Sequence, residues 1–561
     1  MHAEPNESTT LLSLIDDTVD IVTNQIINLS PCDIPYATIP YFRSEPDSDY
    51  FDCSLYSGVI GMLCYTLHTF SGDARYRAEL ASSKILNCVL DERNIVDCGP
   101  LLTTTFGAAS LLLNLLNGRN PKDAWNGQFL AVKTNEYSDS LLGSIGMLQT
   151  LLSSSSHYRS DQGRGEELIH SAQTLSEHIA SHLVINNGQV RLFQDDGSVQ
   201  PVVGVAHGTA GLVQLLSSLI EHSSLAPTRK QELHEYTGLL IQSELAHTRN
   251  LPFGVSDYRT IVRHSSLLTW KEVCDIYNTH RPMEGWCSGE AGILEEAIRA
   301  GHVVHSPDLL ERTLRVGQAG AAWASRVRAN GHLGSLQQLY ICHGLTSPLS
   351  MLNSLISRYR GTFHEMNEFI VLQELFTDCI RELPAALVSE FEPACINLSL
   401  FNGFAGFALA SRRGSVSDLL DASVNKSDLS TSVADAAINV LFPALTRQMS
   451  LVSTQDATDE SSRIEAPSDL VDLLFKPGVF SSYLFVLVDK IVRSNHHVNA
   501  NEDLVVNLRG TSRQLRLKDG AWISESTVQR PTDTPFLRMK SEFVFDECTL
   551  LHEVTRYFSH E

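Results

Sequence analysis

Gly208-Thr209-Ala210-Gly211-Leu212-Val213-Gln214-Leu215-Leu216-Ser217-Ser218-Leu219-Ile220 sets two glycines three apart at the head of an apolar run long enough for a buried helix. The frame recurs. Gly58-Val59-Ile60-Gly61 opens MLCYTL, Gly143-Ser144-Ile145-Gly146 opens MLQTLL, Gly289-Glu290-Ala291-Gly292 opens ILEEAI, and Gly403-Phe404-Ala405-Gly406 opens FALA. Two eroded copies fit the same frame: Thr104-Thr105-Phe106-Gly107 before AASLLLNLL, and Gly344-Leu345-Thr346-Ser347 before PLSMLNSLI. One Gly-x-x-Gly carries almost no information, whereas seven copies, each opening an apolar run, mark an internal repeat. Glycine in a helix costs about 1 kcal/mol against alanine. Its repetition points to close approach of neighbouring helix starts around a crowded axis, where a side chain would not fit.

Between the copies lie longer segments, residues 75–90, 166–183, 307–327 and 365–383, with apolar residues at i, i+3, i+4 and i+7 and charges elsewhere. Nearly apolar helices alternating with amphipathic ones predict two concentric layers. The expected fold is all-α, a double-layered α/α toroid of seven helix pairs over roughly residues 10–415, with six pairs as the alternative. Three regions follow: 1–415 as the toroid, 416–470 as a Ser-, Asp- and Thr-rich linker, and 471–561 as a smaller α+β extension. In the extension an apolar helix or two is expected over residues 470–492, interrupted at Pro477-Gly478. Leu504–Leu508 and Gln514–Leu517 flank Gly510-Thr511-Ser512 as a hairpin, and a closing helix is expected within 533–561.

Of the 561 residues 43% are hydrophobic and 19% charged, the balance of a globular chain with ample core. The formal net charge of −23 argues against nucleic acid, since a phosphate-binding surface needs clustered Lys and Arg, so no nucleic-acid partner is expected. The N-terminal MHAEPNESTT has neither the basic nor the apolar part of a secretory signal. The most membrane-like stretch, residues 100–116, carries three threonines, Gly107 and Asn114, so no membrane insertion is expected. The 11 cysteines are odd in number and irregularly spaced, as in reduced cytosolic thiols. A soluble, cytoplasmic protein is the expectation.

Superposing the copies on their first glycine aligns the reactive residues. Cys287 and Cys342 each fall two before their glycine, His207 and His343 one before, and Asp139 four before. Equivalent repeats would bring these residues to one rim of the toroid, at helix N-termini whose partial positive charge favours thiolates. Cys287, Cys342 and His343 form a Cys₂His set that suits zinc and leaves its fourth position open, as catalytic sites do. Taken singly, Asp139 reads as an N-cap, His207 as a rim histidine and Trp286 as packing. Cys53, Cys64, Cys88, Cys274 and Cys379 lie in apolar runs or outer helices and read as structural.

The pieces SLYSGVIGML, SDSLLGSIGML, GVAHGTAGL, GWCSGEAGI, ICHGLTSPL and SLFNGFAGFAL, in this order, resemble the lanthionine synthetase C (LanC) cyclases and their LanC-like relatives. The resemblance implies an α/α toroid with a catalytic Zn²⁺ on Cys287, Cys342 and His343, and acid/base positions at His207 and Asp139. The implied reaction adds a peptide cysteine to a dehydroalanine or dehydrobutyrine of the same chain, forming a thioether ring. His207 would move the proton, Asp139 would orient His207, and Arg281 would steady the enolate oxygen. The partner would be a dehydrated precursor peptide supplied by a separate dehydratase or kinase partner, because no GxxxxGK[ST] loop is present here. The sequence departs from the family at three places. Ser288 stands where the cyclases carry Tyr or His, Met283 stands at a catalytic arginine, and Gln337 replaces the lysine of glutathione-binding members.

Two other activities fit the same residues: a LanC-like transferase that adds glutathione or another small thiol to dehydroamino acids in proteins, and a non-catalytic scaffold stapled by zinc. A glycan-cleaving toroid would need paired carboxylates at the rim, where only Asp139, Glu284 and Glu290 are available.

Overall fold

The computed structural model describes residues 9–29, 52–89, 99–116, 137–155, 162–186, 189–192, 204–249 and 427–455, four strands between 504 and 546, and 285–421 apart from 288, 332, 334–335, 363–365, 390 and 392–396. Seven helices follow the seven glycine frames: α2 (Val59–Thr69), α4 (Thr105–Leu115), α5 (Ser144–Ser155), α7 (Thr209–His222), α9 (Glu290–Arg299), α11 (Thr346–Tyr359) and α13 (Phe404–Ser411). They are buried nearly all round; every residue of α5 is buried, for example. Each packs on the next, and α13 returns to α2, so the inner layer closes.

The closure is written in backbone hydrogen bonds among the turns that precede these helices and the first turn of α5. Tyr56 N donates to Leu102 O (2.8 Å), Leu101 N to Gly146 O (3.0 Å), Leu141 N to Ala206 O (3.1 Å) and Ala206 N to Cys287 O (3.0 Å). Cys287 N then donates to Cys342 O (3.2 Å), Cys342 N to Phe401 O (3.0 Å), and Phe401 N back to Tyr56 O (3.3 Å). The circuit has seven members, so both eroded copies are full partners and the six-pair alternative falls. The bonds also satisfy turn amides that would otherwise be buried without partners.

The glycines have a more local cause than expected. A Cβ on Gly211 would overlap the carbonyl oxygen of Val205, in its own preceding turn, and the hydroxyl of Ser140 in the neighbouring copy. The turn folds back onto its own helix first, and the neighbour closes in second.

The outer layer holds α1 (Leu11–Asn28), α3 (Gly72–Val89), α6 (Gln162–Ser181), α8 (Pro227–Arg249), α10 (Pro307–Asn330) and α12 (Met366–Arg381). Each covers one or two inner helices. Their one-sided apolar stripes, such as Ala78, Ala81, Ser82, Ile85 and Leu86 on α3, face inward as the amphipathic spacing predicts. The outer helix expected between α4 and α5 falls on residues 117–136, outside the described residues. After α6 a short hairpin pairs β1 (Leu183–Asn186) with β2 (Gln189–Leu192).

The expectation of a linker over 416–470 is corrected where the chain is described. Val416–Asp421 (α14) and Asp428–Gln455 (α15) are helical. Helix α15 packs on α6, α5 and α7, burying Val433, Ala437, Leu441 and Leu445. That stripe has helical spacing; Asp435 and Asn439 between its members, with the Ser and Thr that flank it, are the polar positions of one helix and not a flexible segment. Among the described residues α15 alone is long and apolar enough, over Asp428–Leu451, to cross a bilayer. Further on, β3 (Leu504–Arg509), β4 (Arg513–Lys518), β5 (Ala521–Ser526) and β6 (Ser541–Asp546) form one sheet in the order β5-β4-β3-β6. The β3–β4 pair is the expected antiparallel hairpin. Within 533–561, where a closing helix is expected, Ser541–Asp546 is a strand lying parallel to β3, as the alternation of Phe543 and Phe545 allows; the rest of that stretch lies outside the described residues. The stretch 470–492 lies outside the described residues.

The far halves of the inner helices carry buried polar groups. Gln149 donates to Gln214 (2.7 Å) and Gln214 to Glu296 (2.8 Å), crossing from α5 to α7 to α9. Arg299 joins Glu296 and Asp421 of α14, while Arg358 reaches Asp418 and Asp421. Glu295, fully enclosed, accepts from Ser417 N (3.1 Å) and the Ser350 hydroxyl (3.1 Å), which seats α14. Burial pushes the Glu295 carboxyl up to about 8. An acid whose folded value lies above its unfolded one keeps a proton that the unfolded chain releases. Stability therefore declines as pH rises from about 4.5 towards 8, by a total on the order of 5 kcal/mol. Glu295→Gln keeps an acceptor and cannot ionise. It is expected to melt higher than the wild type at pH 9 and alongside it at pH 5; parallel melting curves at both pH values would refute the assignment.

Candidate metal centre

Two neighbouring turns of the inner ring supply the sulfurs. Cys287 lies in the turn before α9 and Cys342 in the turn before α11, and besides the Cys287–Cys342 bond, Trp286 N donates to Ile341 O (3.2 Å). Gly285 makes this approach possible, since a Cβ there would overlap the Cys342 carbonyl oxygen. The two Cα atoms are 5.2 Å apart and the sulfurs are in disulfide contact. The uniformly reduced cysteines expected from the count thus have an exception at this pair. The physical reason is that ring closure holds two thiols edge to edge, a spacing that serves either a disulfide or two ligands of one ion. His343 Nε2 is 3.2 Å from Cys342 Sγ. The ligand atoms of Cys287, Cys342 and His343 all lie within 4.8 Å of one another.

This donor set fits zinc. Two sulfurs and one imidazole nitrogen converge from two segments, with both cysteines buried and His343 half-buried. The reduced pair is the metal-binding form, because the ligand is the thiolate. The thiols elsewhere differ: burial pushes those of Cys53 and Cys64 well up, which keeps them protonated and inert.

One turn further round, His207 Nδ1 is 2.7 Å from Asp139 Oδ2, a contact between the turns before α7 and α5. Asp139 is fully buried, and its other oxygen accepts from Leu142 N (2.7 Å). It therefore does both things that the sequence allowed, closing its own turn and orienting His207. With Nδ1–H donated to the carboxylate, the neutral ring carries its lone pair on Nε2. Ala206, next to His207, donates to Cys287 O, so the histidine turn is bonded directly to a cysteine turn.

A family model for lanthionine synthetase C-like proteins matches residues 49–413. The chain belongs to the lanthionine synthetase C-like family. No curated protein matches it. The matched span runs from the turn before α2 to the end of α13, which is the closed inner ring of this LanC-like protein together with the outer helices between.

Arg281, Met283, Glu284 and Ser288 lie outside the described residues. Gln337 is exposed on the 3₁₀ turn Leu336–Leu339. Glu290 is buried and bound by Arg312 (2.6 Å) and Arg315 (2.9 Å), while Asp139 is engaged with His207. Neither carboxylate is placed to work as one of a glycosidase pair.

Two residues escaped the sequence reading. Glu244 of α8 accepts from Gly204 N (2.7 Å), the Thr209 hydroxyl (2.7 Å) and Ala210 N (3.1 Å), holding the histidine turn at the start of α7. No local signal marks it, because it sits on an outer helix remote in sequence. Tyr56 brings its phenol oxygen to 3.3 Å from Cys287 Sγ and closer still to Cys342 Sγ. Here a signal existed: Tyr56 falls two before Gly58, the frame position of Cys287 and Cys342.

Proposed function

We propose that this LanC-like protein is a zinc-dependent C–S bond-forming enzyme, and that its reaction is the cyclisation of a dehydrated peptide to lanthionine rings. The observation that carries this reading is the convergence of Cys287, Cys342 and His343 at a rim shared with the His207–Asp139 pair. Cys287, Cys342 and His343 would hold the ion, which when bound supplies Lewis acidity that keeps a substrate thiol as thiolate. His207 Nε2 takes the thiol proton, and the thiolate sulfur then attacks the β-carbon of dehydroalanine or dehydrobutyrine. The C–S bond forms, the C=C π pair moves to the α-carbon as an enolate, and the proton returns there. Atoms balance, and nothing is oxidised. Asp139 stabilises the transient imidazolium and keeps the ring turned. Arg281 is assigned to the enolate oxygen. Substrate would come from a separate dehydratase or kinase partner, in the cytoplasm.

The test is to give the reduced, zinc-loaded chain a dehydrated peptide containing cysteine, with and without glutathione. Cyclisation predicts loss of alkylatable thiol at unchanged mass, independent of glutathione. A mass gain of one glutathione per dehydro residue would establish small-thiol transfer instead, and no change in either would leave a zinc-stapled scaffold.

A further inference from the structure

The ring brings one more polar group onto the sulfurs. Counting two back from each first glycine around the circuit gives Cys287, Cys342, Phe401 and Tyr56 as four successive members. Tyr56 is fixed on both sides of its backbone, donating to Leu102 O (2.8 Å) and accepting from Phe401 N (3.3 Å) and Asn402 N (3.2 Å). Its ring stacks on Phe401, centroids 5.6 Å apart and planes 13° from parallel. The phenol is thereby carried past the intervening copy and onto both cysteine sulfurs.

We propose that Tyr56 is a positioning residue of the metal centre: its phenol O–H donates to the sulfurs of Cys287 and Cys342 and strengthens their hold on a metal ion. The inference rests on the metal-binding reading above. A thiol and a phenol can each donate, but a thiolate can only accept, so in the loaded site the phenol is the donor. Hydrogen bonds to an ionised partner are roughly twice as strong as those between neutral groups. Because metal binding demands thiolates, the bond strengthens on loading and favours the loaded state. Stacking on Phe401 fixes the ring before the metal arrives, so little ordering is left to oppose the bond.

Tyr56→Phe keeps the ring and removes only the hydroxyl. Tyr65→Phe is the control, since the Tyr65 phenol is also hydrogen-bonded, to Arg412 (3.0 Å), but on α2 away from the sulfurs. Zinc affinity of the reduced full chain is measured by competition with a chelator, and the sulfur-to-metal charge-transfer band is recorded on the cobalt(II)-loaded protein. Tyr56→Phe is expected to weaken zinc binding by about 10- to 100-fold, the usual cost of losing a partner of a metal ligand. It should also move the cobalt band to longer wavelength, because a thiolate without its donor gives up an electron more easily. Tyr65→Phe should change neither. Wild-type affinity and band position in Tyr56→Phe would overturn this assignment and leave the metal centre standing. A wild-type chain that bound neither zinc nor cobalt would overturn both.

Discussion

Cys287→Ala and Cys342→Ala are each expected to lose the metal. Purified under reducing conditions, the wild-type chain should carry about one zinc ion, and either variant close to none, as read by elemental analysis. The three ligand atoms lie within 4.8 Å of one another, so removing either sulfur leaves one sulfur and one imidazole. The affinity should fall by more than the roughly 10- to 100-fold that follows loss of an outer partner, because a bond to the ion itself is gone. Alanine is smaller than cysteine and both sites are buried, so a modest loss of stability accompanies the effect. Cys64→Ala separates the two consequences: it empties a buried thiol position inside α2 and should keep the full metal content. Retention of metal by both Cys287→Ala and Cys342→Ala would remove the chemical basis of the proposed enzyme, and the toroid alone would remain.

His207→Ala is expected to lower turnover by about 10²- to 10⁴-fold, the range for a lost general acid–base group, with metal content unchanged. Asp139→Asn tests how the ring is oriented. The carboxylate at 2.7 Å holds the Nδ1–H tautomer. A carboxamide that turns its N–H towards Nδ1 forces the proton onto Nε2, the nitrogen that must accept one. A loss of similar order in kcat is expected, with peptide KM largely preserved, since neither residue is assigned to binding. Steady-state rates on a dehydrated peptide decide the matter. His207→Ala at the wild-type rate, with zinc retained, would show that proton transfer passes through another group or through water.

The expected metal ligands and the His207–Asp139 contact rest on one legible feature, the glycine frame. The copies that carry chemistry place it one, two or four residues before their first glycine, so residues over 200 positions apart can be superposed without knowing the fold. Cys287, Cys342, His343, His207 and Asp139 were all visible in that way. Tyr56 stands at the same offset as the two cysteines, but a tyrosine beside an apolar helix carries no ligand signal of its own. Glu244 was beyond such reading, since its role depends on which outer helix lies over which turn. The α15 stripe of Val433, Ala437, Leu441 and Leu445 is masked by the Ser- and Thr-rich stretches on either side of it.

By itself the chain's order of residues determined the two layers, the glycine frame and the candidate ligand and acid–base residues, because periodicity and offset are local properties that survive without coordinates. Only the tertiary structure decided that the ring closes through all seven copies, that Gly285 lets two cysteine turns lie flush, and that a phenol reaches their sulfurs from the far side of the closure. The reason is that first and last copies become neighbours only when the circle is complete, and no offset along a linear chain records who meets whom across that seam.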